Sequence, residues 1–154
     1  MALETKTTLS TATVNALQDL IQINIDSRDG FQDAAEHLDD FTLASLFREL
    51  AAQRIEQASE LRALVADNGE TPEKQGSVAA AIHRAWMDLR SAFGAGAAAI
   101  LSEAERGEDH IKAKYESVIK NLSGCAATDV LHHHYAAVKK SHDRIRDLRD
   151  EYNA

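Results

Sequence analysis

The residues of this chain that could do chemistry are concentrated in one run, Glu103-Ala-Glu-Arg-Gly-Glu-Asp-His110. Its flanks, Gly94-Ala-Gly-Ala-Ala-Ala-Ile-Leu101 and Ile111-Lys-Ala-Lys-Tyr115, read as helix. Carboxylates on a solvated helix face are ordinary, so only those that turn toward a core carry meaning. Glu108 falls on the apolar stripe Leu101, Ala104, Glu108, Ile111, Tyr115, Val118, Leu122. Two other charged or titratable residues interrupt apolar stripes elsewhere, namely Arg54 and His142. Asn24 and Asp26 flank the stripe of the first helix, and Glu105 stands one turn before Glu108.

A charge facing a core costs several kcal/mol unless it is paired. Distance from the turns sets the level of each residue. A turn centred near residue 40 places Asp26 level with Arg54, and one near residue 124 places Glu108 level with His142. Two arrangements satisfy these groups. In the first, Asp26, Arg54, Glu108 and His142 form a buried hydrogen-bonded network, because a guanidinium fork suits carboxylates. In the second, Glu105, Glu108, His142 and Asp26 hold iron or zinc, since hard carboxylates with neutral imidazole suit such cations. Di-iron bundles take a Glu from each of two helices and Glu-x-x-His from the other two. This chain departs from that pattern. Lys139 stands three residues before His142, and Arg54 occupies the level where a ligand is wanted.

Other candidates carry less. His132-His133-His134 resembles a metal tract, but consecutive helical residues point in different directions, so a solvated helix turn is expected. Asp33 and His37 are i,i+4 neighbours and read as a surface pair. His83, Arg84 and Trp86 either line a ligand slot or, as we favour, anchor a short helix through Trp86. Cys125 is the lone cysteine and has no neighbouring base to activate it. No phosphate-binding Gly loop, nucleotide fingerprint or Ser/His/Asp arrangement is visible, and the pattern leans away from an enzyme.

The elements that must position these residues are helical. Ser10, Thr11 and Thr13 offer N-caps for a first helix, whose Val14, Leu17, Ile21, Asn24, Arg28, Phe31, Ala35 and Leu38 follow spacings of three and four. Gly30 inside it is expected to be tolerated or to bend the helix. Asp39–Thr42 forms a turn, and a second helix runs from about Thr42 to Asp67 until Asn68-Gly69 stops it. Residues 70–76 form a polar loop, and Ser77 caps a shorter helix over about Val78 to Phe93. Helices then span about Ala95 to Leu122 and Ala127 to Tyr152, with the turn Ser123-Gly124 between them. No period-2 strand pattern is present. Short turns make each pair an antiparallel hairpin, and one long crossover containing its own short helix joins them. That is an all-α, ferritin-like four-helix bundle. Residues 1–9 are expected to be a flexible N-terminus and 10–154 a single domain.

Composition agrees. The 154 residues suit one domain, and with one Pro and seven Gly few residues break long helices. A net charge of -8 and the absence of a Lys/Arg cluster argue against a nucleic-acid partner and against an anionic membrane. One cysteine excludes an internal disulfide, no secretory leader is seen, and a cytoplasmic location is expected. A homodimer is left open.

Four segments carry a resemblance: Ile25-Asp-Ser-Arg-Asp-Gly-Phe31, Gly76-Ser-Val-Ala-Ala-Ala-Ile-His-Arg-Ala-Trp86, Glu103-Ala-Glu-Arg-Gly-Glu-Asp109 and His142-Asp-Arg-Ile-Arg-Asp-Leu-Arg149. With its His-Arg-x-Trp and Glu-Arg-Gly-Glu-Asp motifs, the chain resembles an uncharacterised, mostly proteobacterial four-helix-bundle family, a domain of unknown function grouped with ferritin-like folds. The likeness covers about residues 10–150, with Phe31 where Tyr is commoner. It implies the fold and no assigned activity. The ferritin-like grouping implies a metal or redox stress role as one expectation. The reading that follows is a non-enzymatic binding or stress-associated module built on the polar network, with a metal-binding redox or storage protein as the alternative.

Overall fold

The computed structural model describes residues 4–70, 80–122 and 124–153. All regular structure in them is helical: α1 (Thr11–Glu36), α2 (Phe41–Asp67), α3 (Ala80–Ser91), α4 (Ala97–Asn121) and α5 (Thr128–Asn153). The helices begin and end where local chemistry dictates. The Ser10 hydroxyl accepts from the Thr13 N–H at 3.1 Å and opens α1. The Asp40 carboxylate accepts from Thr42 and Leu43 N–H at 2.8 and 3.1 Å and opens α2. Gly69 and Gly124 take positive φ in the turns after α2 and α4, a conformation that costs glycine little. Ser77 and Ser123 fall outside the described residues.

Residue pairs show how the helices run. Ser27 meets Arg54 and Leu9 meets Asn68, so numbers fall along α1 as they rise along α2. Glu105, Asp109 and Tyr115 of α4 meet Arg149, His142 and His134 of α5 in turn. Both hairpins are therefore antiparallel. Asn24 of α1 reaches Tyr115 of α4, and Glu60 of α2 reaches His134 of α5, which closes the bundle. Leu17, Leu20, Ile21, Phe31, Phe47, Leu61, Ile100, Leu101, Ile111 and Ile145 fill the space between.

Segment 1–9 is described from Glu4 onward, and there it lies against the bundle. The Glu4 carboxylate accepts from the Ala126 N–H at 3.0 Å, and Lys6 pairs with Asp129 at 3.0 Å. Asn68 does more than stop α2. Its amide donates to the Lys6 and Leu64 carbonyls at 2.8 Å each, and its Oδ1 accepts from the Leu9 N–H at 2.7 Å.

α3 packs against α1 and α4 through Trp86. Gly30 lies well inside α1 and does not end it. Gly30 and Gly107 make room for the indole from opposite sides: a Cβ on Gly107 would lie 2.9 Å from Trp86 Cη2, and one on Gly30 would overlap Cε3. Phe31 backs the indole edge-on, with ring centres 5.5 Å apart, and leans in turn on Phe47 at 5.4 Å. Arg90 reaches Asp33 at 2.9 Å, and Phe93 stacks on His37 at 4.1 Å. The His37 ring bonds the Asp33 carbonyl, not its carboxylate.

Gly107→Ala should therefore destabilise by about 1–3 kcal/mol through overpacking, despite alanine's helix preference of about 1 kcal/mol over glycine. In a Trp86→Leu background the same change should be neutral or stabilising. Urea unfolding of the four proteins reads both effects, and an equal loss in both backgrounds would show that the indole is not the obstacle.

Candidate functional site

The bundle interior holds two polar layers, and each draws a side chain from α1, α2, α4 and α5. The first centres on Arg54, whose side chain has no solvent exposure. Its Nη2 donates to Glu108 Oε1 and Oε2 at 2.8 and 2.7 Å and to Ser141 Oγ at 2.7 Å. Its Nε donates to Ser27 Oγ at 3.2 Å, and Nη1 donates to Gln53 and Gln57 Oε1 at 3.1 and 3.3 Å. A guanidinium has five N–H groups, and these acceptors engage all three of its nitrogens. Glu108 also accepts from Ser141 at 2.5 Å. The Phe31 ring lies 5.9 Å from the guanidinium carbon and covers it with an aromatic face. A fully buried charge pair is tolerable only with such saturation, because each ion has given up several kcal/mol of hydration.

The second layer lies about one to two turns away. Asn24 Nδ2 donates to the Leu20 carbonyl and to Tyr115 Oη, both at 2.8 Å. Tyr115 Oη lies 3.2 Å from His134 Nδ1, and His134 Nε2 lies 3.0 Å from Glu60 Oε2. The bonds dictate the tautomer. Because Tyr115 Oη accepts from Asn24, its own proton goes to Nδ1, and Nε2 carries the hydrogen given to Glu60. Burial lowers the His134 pKa, which the hydrogen bond and charge of Glu60 offset only in part. Burial also raises the Tyr115 pKa well above the usual phenol value, against the hydrogen bond from Asn24 and the charge of Arg54.

A third group sits at the rim of the α4/α5 seam. His142 Nε2 contacts Asp109 at 2.5 Å and Glu105 at 3.4 Å, and Nδ1 meets Asp143 at 3.0 Å. Arg149 binds the other Glu105 oxygen at 2.7 Å. Burial lowers the His142 pKa, but the hydrogen bonds to Asp143 and Asp109 and the field of Asp109 and Glu105 outweigh it and hold it above the ordinary value. Ligand atoms of Glu105, Asp109 and His142 lie within 4.8 Å of one another, a spacing that a metal ion could bridge.

The four-residue centre expected from the sequence thus divides in two. Arg54 and Glu108 meet. His142 lies with Glu105 and Asp109 instead, because successive helical residues are about 100° apart and Ser141 takes the inward position. Asp26 is not among the partners of Arg54. It accepts from Gln22 at 2.9 Å on its own helix and lines a cleft with Trp86 and Arg90. Asp109 is half exposed and is the nearest partner of His142. Of His132-His133-His134, the first two are exposed and His134 is buried. The side chain of His83 lies outside the described residues, Arg84 is exposed, and Trp86 is buried as an anchor. Cys125 is partly buried, 3.5 Å from the Thr128 hydroxyl.

Ser27, Gln57, Ser141 and Arg149 are not among the candidates read from the sequence, and His134, read there as part of a solvated turn, is buried. A signal for them existed. Ser27 follows Asn24 by three, Gln57 follows Arg54 by three, and a turn centred near residue 124 puts Ser141 as close to the level of Glu108 as His142.

A helical bundle whose centre holds a saturated Arg–Glu pair is the class that fold and site define. The sequence profile of one family, described as a domain of unknown function, DUF2383, matches residues 12–121, and the chain belongs to that family. The match takes in Asn24, Arg54, Trp86, Glu108 and Tyr115, while the α5 partners lie beyond it. No curated protein matches the chain. Among the described residues, no helix is long and apolar enough to cross a membrane.

Arg54→Leu should lose about 3 kcal/mol or more, because it strands Glu108 as a buried charge, whereas replacing both partners by apolar residues should lose much less than the two single changes together. Chemical denaturation of the cycle measures this, and an unchanged midpoint in Arg54→Leu would refute it. His134 supplies a pH signature. Its folded pKa is lowered, so the unfolded chain takes up the proton first, and stability falls as pH drops below about 6.5, the ordinary histidine value. His134→Gln should flatten the fall in stability between about pH 7 and pH 5 relative to the unaltered protein.

Proposed function

We propose that this chain is a bacterial, ferritin-like bundle in which the Arg54 guanidinium fills the place a metal cation takes in di-iron relatives of the fold, and that it serves as a non-enzymatic binding or stress-associated module in the cytoplasm. The observation that carries this reading is the Arg54–Glu108 pair with Ser27, Gln57 and Ser141 around it. One inward carboxylate, one cation and one partner from each long helix reproduce the logic of a carboxylate-bound ion with an organic cation inside. A divalent ion at the same spot would sit against a fixed positive charge and be repelled. The ferritin-like topology is supported by the helix directions. α2 ends beside Leu9 at one end of α1, while Phe93, just past α3, stacks on His37 at the other. Those two points lie at opposite ends of α1, where the ends of a crossover between two hairpins are expected. The acidic balance favours neither a nucleic acid nor an anionic membrane as partner, and self-association as a dimer is compatible with the fold.

A cation-rescue experiment tests the reading. Arg54→Ala should melt lower, and Mn²⁺ or Zn²⁺ should raise its midpoint more than that of the unaltered protein, an advantage lost when Glu108→Gln is added. Stoichiometric transition metal in the untagged, unaltered protein, lost on Glu108→Gln, would overturn it.

The rim cluster favours a second reading, a single iron or zinc ion on Glu105, Asp109 and His142. The donor set fits, since two carboxylates and an imidazole suit these metals. Binding there must displace a proton from the imidazole and compete with Arg149 for Glu105. Zinc titration followed by calorimetry should then show one site that weakens as pH falls and vanishes in His142→Ala. An unchanged heat in that variant would place the metal elsewhere.

A further inference from the structure

The Glu60–His134–Tyr115 chain is not used by either reading above. Tyr115 and His134 are 0% and 1% exposed. A phenol so buried suits chemistry that needs no contact: an electron can leave through the protein while a proton moves along a prepared path. That path exists. Tyr115 Oη stands 3.2 Å from the unprotonated Nδ1 of His134, and Nε2 stands 3.0 Å from Glu60, whose side chain is 45% exposed. The wire therefore runs from the middle of the bundle to water. It starts at a phenol fixed by the Asn24 amide at 2.8 Å.

We propose that Tyr115 is a reversible one-electron donor, a sink for oxidising equivalents delivered to the protein surface by a one-electron oxidant such as a small-molecule radical or a high-valent metal complex. The oxidant gains the electron and is reduced. The Tyr115 O–H bond breaks, leaving a neutral phenoxyl radical, and its proton goes to His134 Nδ1. The Nε2 proton passes to the Glu60 carboxylate, which releases it to water. An external reductant reverses each transfer. His134, whose pKa burial lowers, stays neutral and so free to accept. An imidazolium at this position would block the path. Burial keeps the phenol protonated until the electron leaves, and excludes the water and solutes that would quench the radical.

The experiment uses the full chain carrying Tyr135→Phe and Tyr152→Phe, which leaves Tyr115 as the only tyrosine of the three. Hexachloroiridate(IV) serves as the oxidant, and electron paramagnetic resonance with stopped-flow absorbance reads the product. A tyrosyl radical is expected. In Glu60→Gln, an exposed-side change that keeps a hydrogen-bonding group but cannot take the proton, radical formation should slow by about tenfold, with helix content and melting midpoint unchanged. The same slowing is expected in His134→Gln, with partial recovery on adding imidazole. A folded protein that yields no tyrosyl radical, or a radical on Trp86 alone, overturns the proposal. So does a tyrosyl radical formed at the same rate in Glu60→Gln and His134→Gln.

Discussion

Everything in this bundle accommodates one constraint, the removal of Arg54 and Glu108 from water. Neither side chain keeps any exposure, so the fold must replace two hydration shells with its own groups. It does so with one partner from each long helix: Ser27, Gln57, Glu108 and Ser141. A pair of this kind adds little net stability, because desolvation offsets the attraction. Its effect lies in register. Sliding any one helix by a turn would leave a guanidinium N–H or a carboxylate oxygen without a partner in the core, where that omission is most costly.

The second polar layer repeats the device with weaker charges. Asn24, Glu60, Tyr115 and His134 also span all four helices, and they fix the same register a short distance along the axis. Between them the layers make the interior directional: one end holds a saturated ion pair, the other a hydrogen-bonded path to solvent. The α1/α4 groove is locked by different means. There a single indole enters a gap that exists only because residues 30 and 107 have no side chain, so α3 is held by shape more than by polar contacts.

Carboxylates left open at mid-height suit a metal ion, whereas a guanidinium placed among them, as Arg54 is beside Glu108, repels a second cation. What remains accessible lies at the rim, where Glu105, Asp109 and His142 converge under Arg149, and at the exposed end of the Glu60 path. These two accessible groups are the ones the proposals above draw on, the rim for a metal ion and the Glu60 path for proton and electron movement.

The sequence by itself determined the helices, their order and the height of each polar residue. Apolar spacing of three and four sets the helices, caps at Ser10 and Asp40 set their starts, and distance from the turns sets the heights. These are local properties, so Arg54 and Glu108 could be placed level before any contact was known. Which of two adjacent residues faces the core was not legible, because a helix turns about 100° per residue and its rotation is chosen by all its neighbours at once. Tertiary packing alone decided that Ser141, not His142, joins Glu108, and that His142 meets Asp109 instead. It also buried His134 while His132 and His133 stayed in water, and left Asp26 beside Trp86 rather than Arg54. A histidine or carboxylate is compatible with either environment; only the partners that other helices bring to it settle which one it occupies.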